Sequence, residues 1–384
     1  LTGCQASLER KLMDQITPLI CNKENKKAMI AMSGGVDSSV SAYLVKNMGY
    51  ETIGVTMKLY DNEMIGGNEC NTCCSLDDVE DARNVANKLG IKYYVFNFED
   101  DFEREVIERF VKAYEEGMTP NPCIDCNRYI KFKRLFQRAK ELGQDYVVTG
   151  HYARVRFDEE TGRYLLLKAV DKKKDQSYVL YSITQEQLAH TIFPLGEIED
   201  KEKVRRIAEK HGFINARKRD SQDICFVPDG DYAGFISRYR GKNYPYGEFV
   251  GMDGKLLGEH KGIINYTIGQ RKGLGLALKE PMYVCEKNIT DNKVILGRNE
   301  DLFKKEFEVF DFNWIACEPP SDEITLFVKV RYSQKENKAR VIPISDSRVR
   351  VIFDEPQRAI TVGQSAVMYD GDIVYGGGVI CKVL

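Results

Sequence analysis

"IAMSGGVDSSV", residues 30–40, is the stretch whose reading decides the fold. An apolar run enters two glycines and leaves through small residues. In its longer setting, KKAMIAM reads as a short buried strand, SGGVDSS as a loop, and DSSVSAYLVKNMG as a helix stopped by Gly49. A loop of this kind points backbone N–H groups at an anion, and the helix start adds about half a positive charge. Gly34 and Gly35 permit close approach and φ > 0, while Ser33, Ser38 and Ser39 supply hydroxyl donors. The bland reading is a tight turn without a ligand. The whole hexapeptide behind a buried strand favours a bound nucleotide instead. The lysine of a Walker loop is missing, and that absence has to be explained.

The neighbouring segments extend the pattern. ETIGVTMKLY is a second strand. SLDDVEDARNVANKLG has the marks of a helix, with Ser75 at its cap, Gly90 at its stop, and Val79, Ala82, Val85, Ala86 and Leu89 on one face. KYYVFNF is a strand, DFEREVIERFVKAYEEG and NRYIKFKRLFQRAKELG are helices, and DYVVTG is a strand. Alternation of this kind predicts an α/β fold, a doubly wound parallel sheet over about residues 25–150, with helices continuing to about residue 225. Beyond about residue 230 the chain turns to short strand patterns, read as two small β modules. The expected division is an N-terminal helical extension over 1–25, a nucleotide-binding catalytic domain over 26–228, a small central β domain over 229–298 and a C-terminal β-barrel over 299–384.

At 384 residues the chain exceeds one ordinary core. An apolar fraction of 43% beside 30% charged residues reads as soluble and globular, and no run approaches a membrane span. The start shows no secretion pattern, so a cytoplasmic location is expected. A net charge of −2 makes no case for nucleic acid, which would need local basic surfaces. RYIKFKRLFQRAK, residues 128–140, is such a stretch, with six Lys/Arg and no acid. Its Tyr129, Phe132 and Phe136 fall at helical spacing and read first as core. KAVDKKKDQ, NARKRD and IGQRKG add further basic positions.

The 11 cysteines are an odd number in a long chain of intracellular character, which argues against a disulfide framework. Two groups invite chemistry. TPNPCIDCNRYIKF carries Cys123 and Cys126, the latter at the start of a basic helix, where a thiol pKa falls. KRDSQDICFVPDGDY carries Cys225 among polar residues that do not suit a core strand. A third group, Cys70, Cys73 and Cys74, reads first as loop cysteines.

SGGVDS resembles the PP-loop of ATP pyrophosphatases, which cleave ATP between its α and β phosphates. The missing lysine then makes sense, because the loop holds the departing pyrophosphate. The series SGGVDSS, GMTPNPCIDCNRYIKF, GHYARV, KDQSYVLYSI, SQDICFVPDGDY and YTIGQRKGLG is similar, in order, to the tRNA-specific 2-thiouridylases of the MnmA/TrmU family. The resemblance implies thiolation at C2 of tRNA uridine 34 with ATP and Mg²⁺. It implies ATP contacts at Ala31, Met32, Ser33, Gly34, Gly35, Val36, Asp37 and Ser38, with Met57 and Gly150 beside them. Cys126 matches the nucleophile position and Cys225 the persulfide-bearing one. Asn121, Pro122 and Cys123 match the segment touching the target base. Lys174, Asp175, Gln176, His151, Arg331, Tyr332 and Gln364 match tRNA contacts. Many relatives have Asp where this chain has Cys123. Two sulfur routes stay open: a Cys225 persulfide resolved by Cys126, or a [4Fe–4S] cluster on Cys123, Cys126 and Cys225 that carries hydrosulfide. The sulfur source would be a donor protein or sulfide. The competing readings are another PP-loop adenylating enzyme acting on a small metabolite, and a non-catalytic Fe–S protein that binds RNA. No membrane partner is expected.

Overall fold

A computed structural model describes residues 26–60, 76–218 and 224–384. The expected N-terminal helix, the Ser75 cap and the Cys70, Cys73 and Cys74 group lie outside these residues.

Five strands form the first sheet: β1 Lys27–Ala31, β2 Glu51–Lys58, β3 Lys92–Asn97, β4 Tyr146–Val148 and β7 Thr191–Ile192. Their order is β3-β2-β1-β4-β7 and every pairing is parallel. β1 is buried on both faces, as a central strand of a parallel sheet must be. Met29 and Ala31 join one hydrophobic cluster, while Ala28 and Ile30 join the other. Helices cover both faces. They are α1 Val36–Asn47, α2 Leu76–Leu89, α3 (Glu99–Phe102, Glu103–Ile107 and Glu108–Glu115), α4 (Pro122–Asp125, Cys126–Leu135 and Phe136–Glu141), α5 Gln185–Ala189 and α6 Lys201–Lys210. The middle pieces of α3 and α4 are wound as π-helix. The doubly wound α/β fold expected from the sequence is therefore present.

Helices do not run on unbroken to residue 225. β5 Ala153–Asp158 and β6 Arg163–Lys168 form an antiparallel hairpin in that interval. The period-2 signal was in the sequence: Ala153 and Val155 are buried, whereas Arg154 and Arg156 point the other way. β6 pairs with β17, Ile373–Val383, so the hairpin extends the C-terminal sheet.

After α7 Tyr232–Arg240, strands β8 Gly247–Gly251, β9 Leu256–His260, β10 Tyr283–Asn288 and β11 Lys293–Gly297 form a four-stranded sheet in the order β10-β11-β8-β9. Its Phe249, Val284 and Leu296 share one core with Phe102, Phe110 and Phe226. The C-terminal strands are β12 Phe303–Trp314, β13 Ile324–Lys329, β14 Asn337–Ser345, β15 Arg348–Arg358, β16 Ser365–Asp370 and β17 Ile373–Val383. They run β12-β15-β14-β13-β16-β17, and a β12–β17 pairing closes a six-stranded antiparallel barrel. No described helix is long and apolar enough to cross a membrane.

Candidate active site

The loop between β1 and α1 is shaped by one backbone requirement. Gly34 sits at φ 75°, and a β-carbon there would lie 2.5 Å from the Asp78 carbonyl oxygen. Ser38 Oγ accepts from Ser33 N–H at 3.1 Å and donates to the Gly35 carbonyl at 3.0 Å. Gly35 is the cap of α1 and provides no side-chain cap, so the first N–H groups of the helix are left to an anion. Gly150, just past β4, packs on this start: a β-carbon there would be 3.0 Å from Ser38 N. Met32 is locked beneath by Met32 N–H to the Val55 carbonyl at 2.8 Å and Thr56 Oγ1 to the Met32 carbonyl at 2.6 Å. Ala31, Val36 and Ser38 are buried or nearly so, while Ser33 is exposed.

Three residues distant in sequence hold the loop. The Lys201 ammonium donates to both Asp37 carboxylate oxygens at 2.6 Å, and Tyr152 OH donates to Asp37 Oδ1 at 2.8 Å. Asn215 Nδ2 donates to the Gly34 carbonyl at 2.8 Å and to Ser39 Oγ at 2.9 Å. Lys218 spans Asp78 and Asp81 at 2.7 and 2.6 Å, behind the loop. Tyr152 lies in the GHYARV segment, and Asn215 and Lys218 in the basic NARKRD stretch, but neither segment pointed to this loop, and Lys201 stood in no flagged segment.

The cysteines come from two directions. Asn121 caps α4, accepting the Cys123 N–H at 3.2 Å, and Pro122 opens the helix where a missing N–H costs nothing. Cys123 is exposed, whereas Cys126 and Cys225 are half-buried. Cys126, Cys225 and Met57 all border the hydrophobic cluster that contains Tyr60, Phe102 and Phe226. Tyr60 OH, two residues beyond β2, donates to the Cys225 carbonyl at 2.9 Å. Asp125, between the two α4 cysteines, has its carboxyl pushed up to about 6 by burial, against the pull of Arg109 and Arg128. Among the described residues no three or more His, Cys, Asp or Glu side chains stand together to hold a metal ion. Cys123, Cys126 and Cys225 are thus not gathered as a three-thiolate ligand set in this structure.

The residues expected at tRNA divide. Tyr332 is exposed at its edge and donates to the Asp175 carbonyl at 3.1 Å; partial burial raises its phenol pKa, with smaller contributions from Asp175 and Cys123. Gln364 Nε2 donates to the Thr119 carbonyl at 2.7 Å, beside Asn121 and Pro122. Asp175 and Gln176 are turned onto their own surroundings. Asp175 Oδ1 accepts from Ala169 N–H at 2.9 Å, and Gln176 Oε1 from Tyr152 N–H at 3.0 Å. Lys174 closes a turn through its N–H to the Asp171 carbonyl, at 3.1 Å. Two residues differ from a surface role. His151 is buried between Phe132 and Phe193 with Nδ1 2.7 Å from Thr149 Oγ1, and burial holds it neutral. Arg331 Nη2 donates to the Ile268 and Ala359 carbonyls and Thr361 Oγ1 at 3.1, 3.0 and 2.8 Å, joining the central sheet to the barrel. The basic helix is also less available than its composition suggests. Arg128, Arg134, Arg138 and Lys140 are paired with Asp311, Asp101, Glu141 and Glu186. Phe132 and Phe136 are core, as their spacing implied.

A parallel sheet whose first strand feeds an uncapped, glycine-bearing helix start defines a PP-loop α/β nucleotide-binding protein, here with Cys225 tied to Tyr60 just past the carboxyl end of β2. Family models agree: residues 26–229 match the tRNA methyl transferase HUP domain, 233–298 the tRNA methyl transferase PRC-barrel domain, and 304–380 the aminomethyltransferase beta-barrel domain. The chain is 53% identical over 364 residues to the tRNA-specific 2-thiouridylase MnmA of Clostridioides difficile (strain 630), covering 94% of this chain and 99% of that protein. It is 49% identical over 356 residues to the tRNA-specific 2-thiouridylase MnmA of Clostridium acetobutylicum, covering 93% and 99%. Among solved structures, the U34-tRNA thiolase NcsA of Methanococcus maripaludis with its [4Fe-4S] cluster is 19% identical at a TM-score of 0.37, over 60% of this chain and 76% of that one. The chain belongs to the tRNA-specific 2-thiouridylase family.

Proposed function

We propose that the chain is a cytoplasmic tRNA-uridine 2-sulfurtransferase that uses Mg·ATP to replace O2 of wobble uridine 34 with sulfur. Near-full-length identity to 2-thiouridylases supports the reaction. The observation that carries the chemistry is the Tyr60–Cys225 hydrogen bond of 2.9 Å, which ties Cys225 to the edge where β2 ends and the glycine loop lies. That edge is where a doubly wound sheet binds its ligands.

Uracil O2 leaves poorly until activated. In this reading O2 attacks the α-phosphorus of ATP, and pyrophosphate departs against the free N–H groups of α1 and the Ser33 hydroxyl. Mg²⁺ bound to the phosphates would offset their charge. Met57, at the end of β2, lies beside the adenine. Asn121, Pro122 and Cys123 meet the splayed uracil, since an unpaired loop base enters a pocket at modest cost. Cys225 arrives as a persulfide loaded by a sulfur-donor protein. Its outer sulfur attacks C2, and AMP leaves with the bonding pair. The Cys126 thiolate then attacks the Cys225 sulfur, breaks the bond to the outer sulfur and releases 2-thiouridine. The two cysteines end as a disulfide, which an external dithiol reduces with two electrons. Tyr332, Gln364 and Lys174 meet the RNA from the barrel side.

The test is pyrophosphate release from ATP with and without tRNA. Release that requires a tRNA bearing U34 is expected. Release on a small metabolite alone would favour a different PP-loop adenylating enzyme.

A further inference from the structure

Helix α4 carries Cys126 and is held by the barrel on both sides of that residue. Ahead of it, Thr119 N–H donates to the Val362 carbonyl at 3.0 Å and Gln364 Nε2 to the Thr119 carbonyl at 2.7 Å. Behind it, Arg128 makes a two-pronged pair with Asp311 of β12, Nη2 to Oδ1 at 3.0 Å and Nη1 to Oδ2. Asp311 sits at φ 52°, a left-handed conformation that non-glycine residues seldom adopt. It lies where the β12–β17 register breaks between Phe310 and Asn313. The barrel ladder does not need that carboxylate, so the strained position serves the contact across to α4. The helix needs outside support, because Cys126–Leu135 is π-wound, a form usually confined to single turns at functional sites. Arg128 also lies over the Tyr129 ring at 5.3 Å, and Arg109 lies over the same ring at 4.8 Å.

We propose that Asp311, acting through Arg128, is a positioning residue for Cys126, so that the barrel sets the helical turn on which this thiol reacts. The proposal rests on the reading of Cys126 as the thiol that closes the reaction. Bidentate carboxylate–guanidinium pairs fix direction as well as distance, and Lys cannot copy them. A reacting group displaced by about 1 Å loses up to about a hundredfold in rate.

The test uses the full chain with Asp311→Asn, Arg128→Lys, and the exchange Arg128→Asp with Asp311→Arg. Asn suits the left-handed backbone, so the fold should persist. Three quantities are read: kcat against KM for tRNA, the iodoacetamide alkylation rates of Cys126 and Cys225 by peptide mass spectrometry, and the melting temperature. Asp311→Asn should lower kcat about tenfold with KM for tRNA nearly unchanged. It should alter alkylation at Cys126 several-fold but not at Cys225, and the exchange should recover much of the lost kcat. Wild-type kcat and Cys126 alkylation in Asp311→Asn would overturn the proposal. Should Cys126→Ala retain thiolation, the role of Cys126 falls, while the alkylation rates still decide whether Asp311 positions it.

Discussion

Asp37 is the side chain on which the nucleotide reading is most exposed to test. It stands in the first turn of α1 and is gripped by Lys201 and Tyr152. Asp37→Asn keeps an oxygen for both partners, so the fold should survive. We expect tRNA-dependent pyrophosphate release to fall about a hundredfold, the scale of losing one transition-state contact, while tRNA affinity measured by filter binding stays within about threefold. Equal loss of both would detach Asp37 from ATP. The cysteine pair makes a sharper demand. Cys126→Ala and Cys225→Ala should each abolish 2-thiouridine formation, and the double variant should be no worse, since groups that act as a unit are non-additive. Asp125 gives a pH signature. Burial lifts its carboxyl from 3.8 to about 6, so between those values the folded chain keeps a proton that the unfolded chain has lost. Its stabilising share is complete below about pH 4 and disappears as the pH rises through about 6. Asp125→Asn, neutral throughout, should therefore melt higher than the parent at pH 7.5, by up to about 3 kcal/mol in stability, with the gap closing near pH 4. A constant gap would assign the effect to packing. The loop and cysteines were legible because their chemistry is written locally. Lys201, Tyr152 and Asn215 reach the loop from more than a hundred residues away, and no local pattern marks such a contact.

At the level of elements, the βα alternation was readable because each strand and helix carried its own period and stop. The β5–β6 hairpin was not, although ARVRFD alternates cleanly: its partner is β17, more than two hundred residues on. The basic helix illustrates the reverse case. Its charges were visible, but apart from Glu141 on the same helix their acidic partners come from α3, α5 and β12, which only the packed chain brings close. The glycine loop supplies the test at this scale. Gly34→Ala forces an L side chain into a left-handed backbone and against the Asp78 carbonyl. About 2 kcal/mol or more of stability should be lost in urea melts, and ATP affinity by calorimetry should drop clearly. Unchanged ATP binding would mean that the loop does not hold the nucleotide through its backbone.

Over the whole molecule, the C-terminal barrel completes the core of the first part of the chain. Val155, Leu166, Tyr178, Tyr181 and Ile183 of the first part are buried against Val367, Tyr369 and Val374 of the barrel. Re-exposing five such side chains at about 2 kcal/mol each costs about 10 kcal/mol, comparable to the total stability of a domain, about 5–15 kcal/mol. A chain ending at residue 299 should consequently fail to fold, seen as loss of a cooperative melt by circular dichroism. A folded, cooperative fragment would show the barrel to be an independent module. The central claim, ATP-driven sulfur transfer by a cysteine pair, is tested most directly by one turnover of enzyme carrying a Cys225 persulfide, mixed with ATP and tRNA and no reductant. Mass spectrometry of protein and RNA should find one 2-thiouridine at position 34 and one Cys126–Cys225 disulfide for each pyrophosphate released. Thiouridine formed while both cysteines remain reduced would contradict the account.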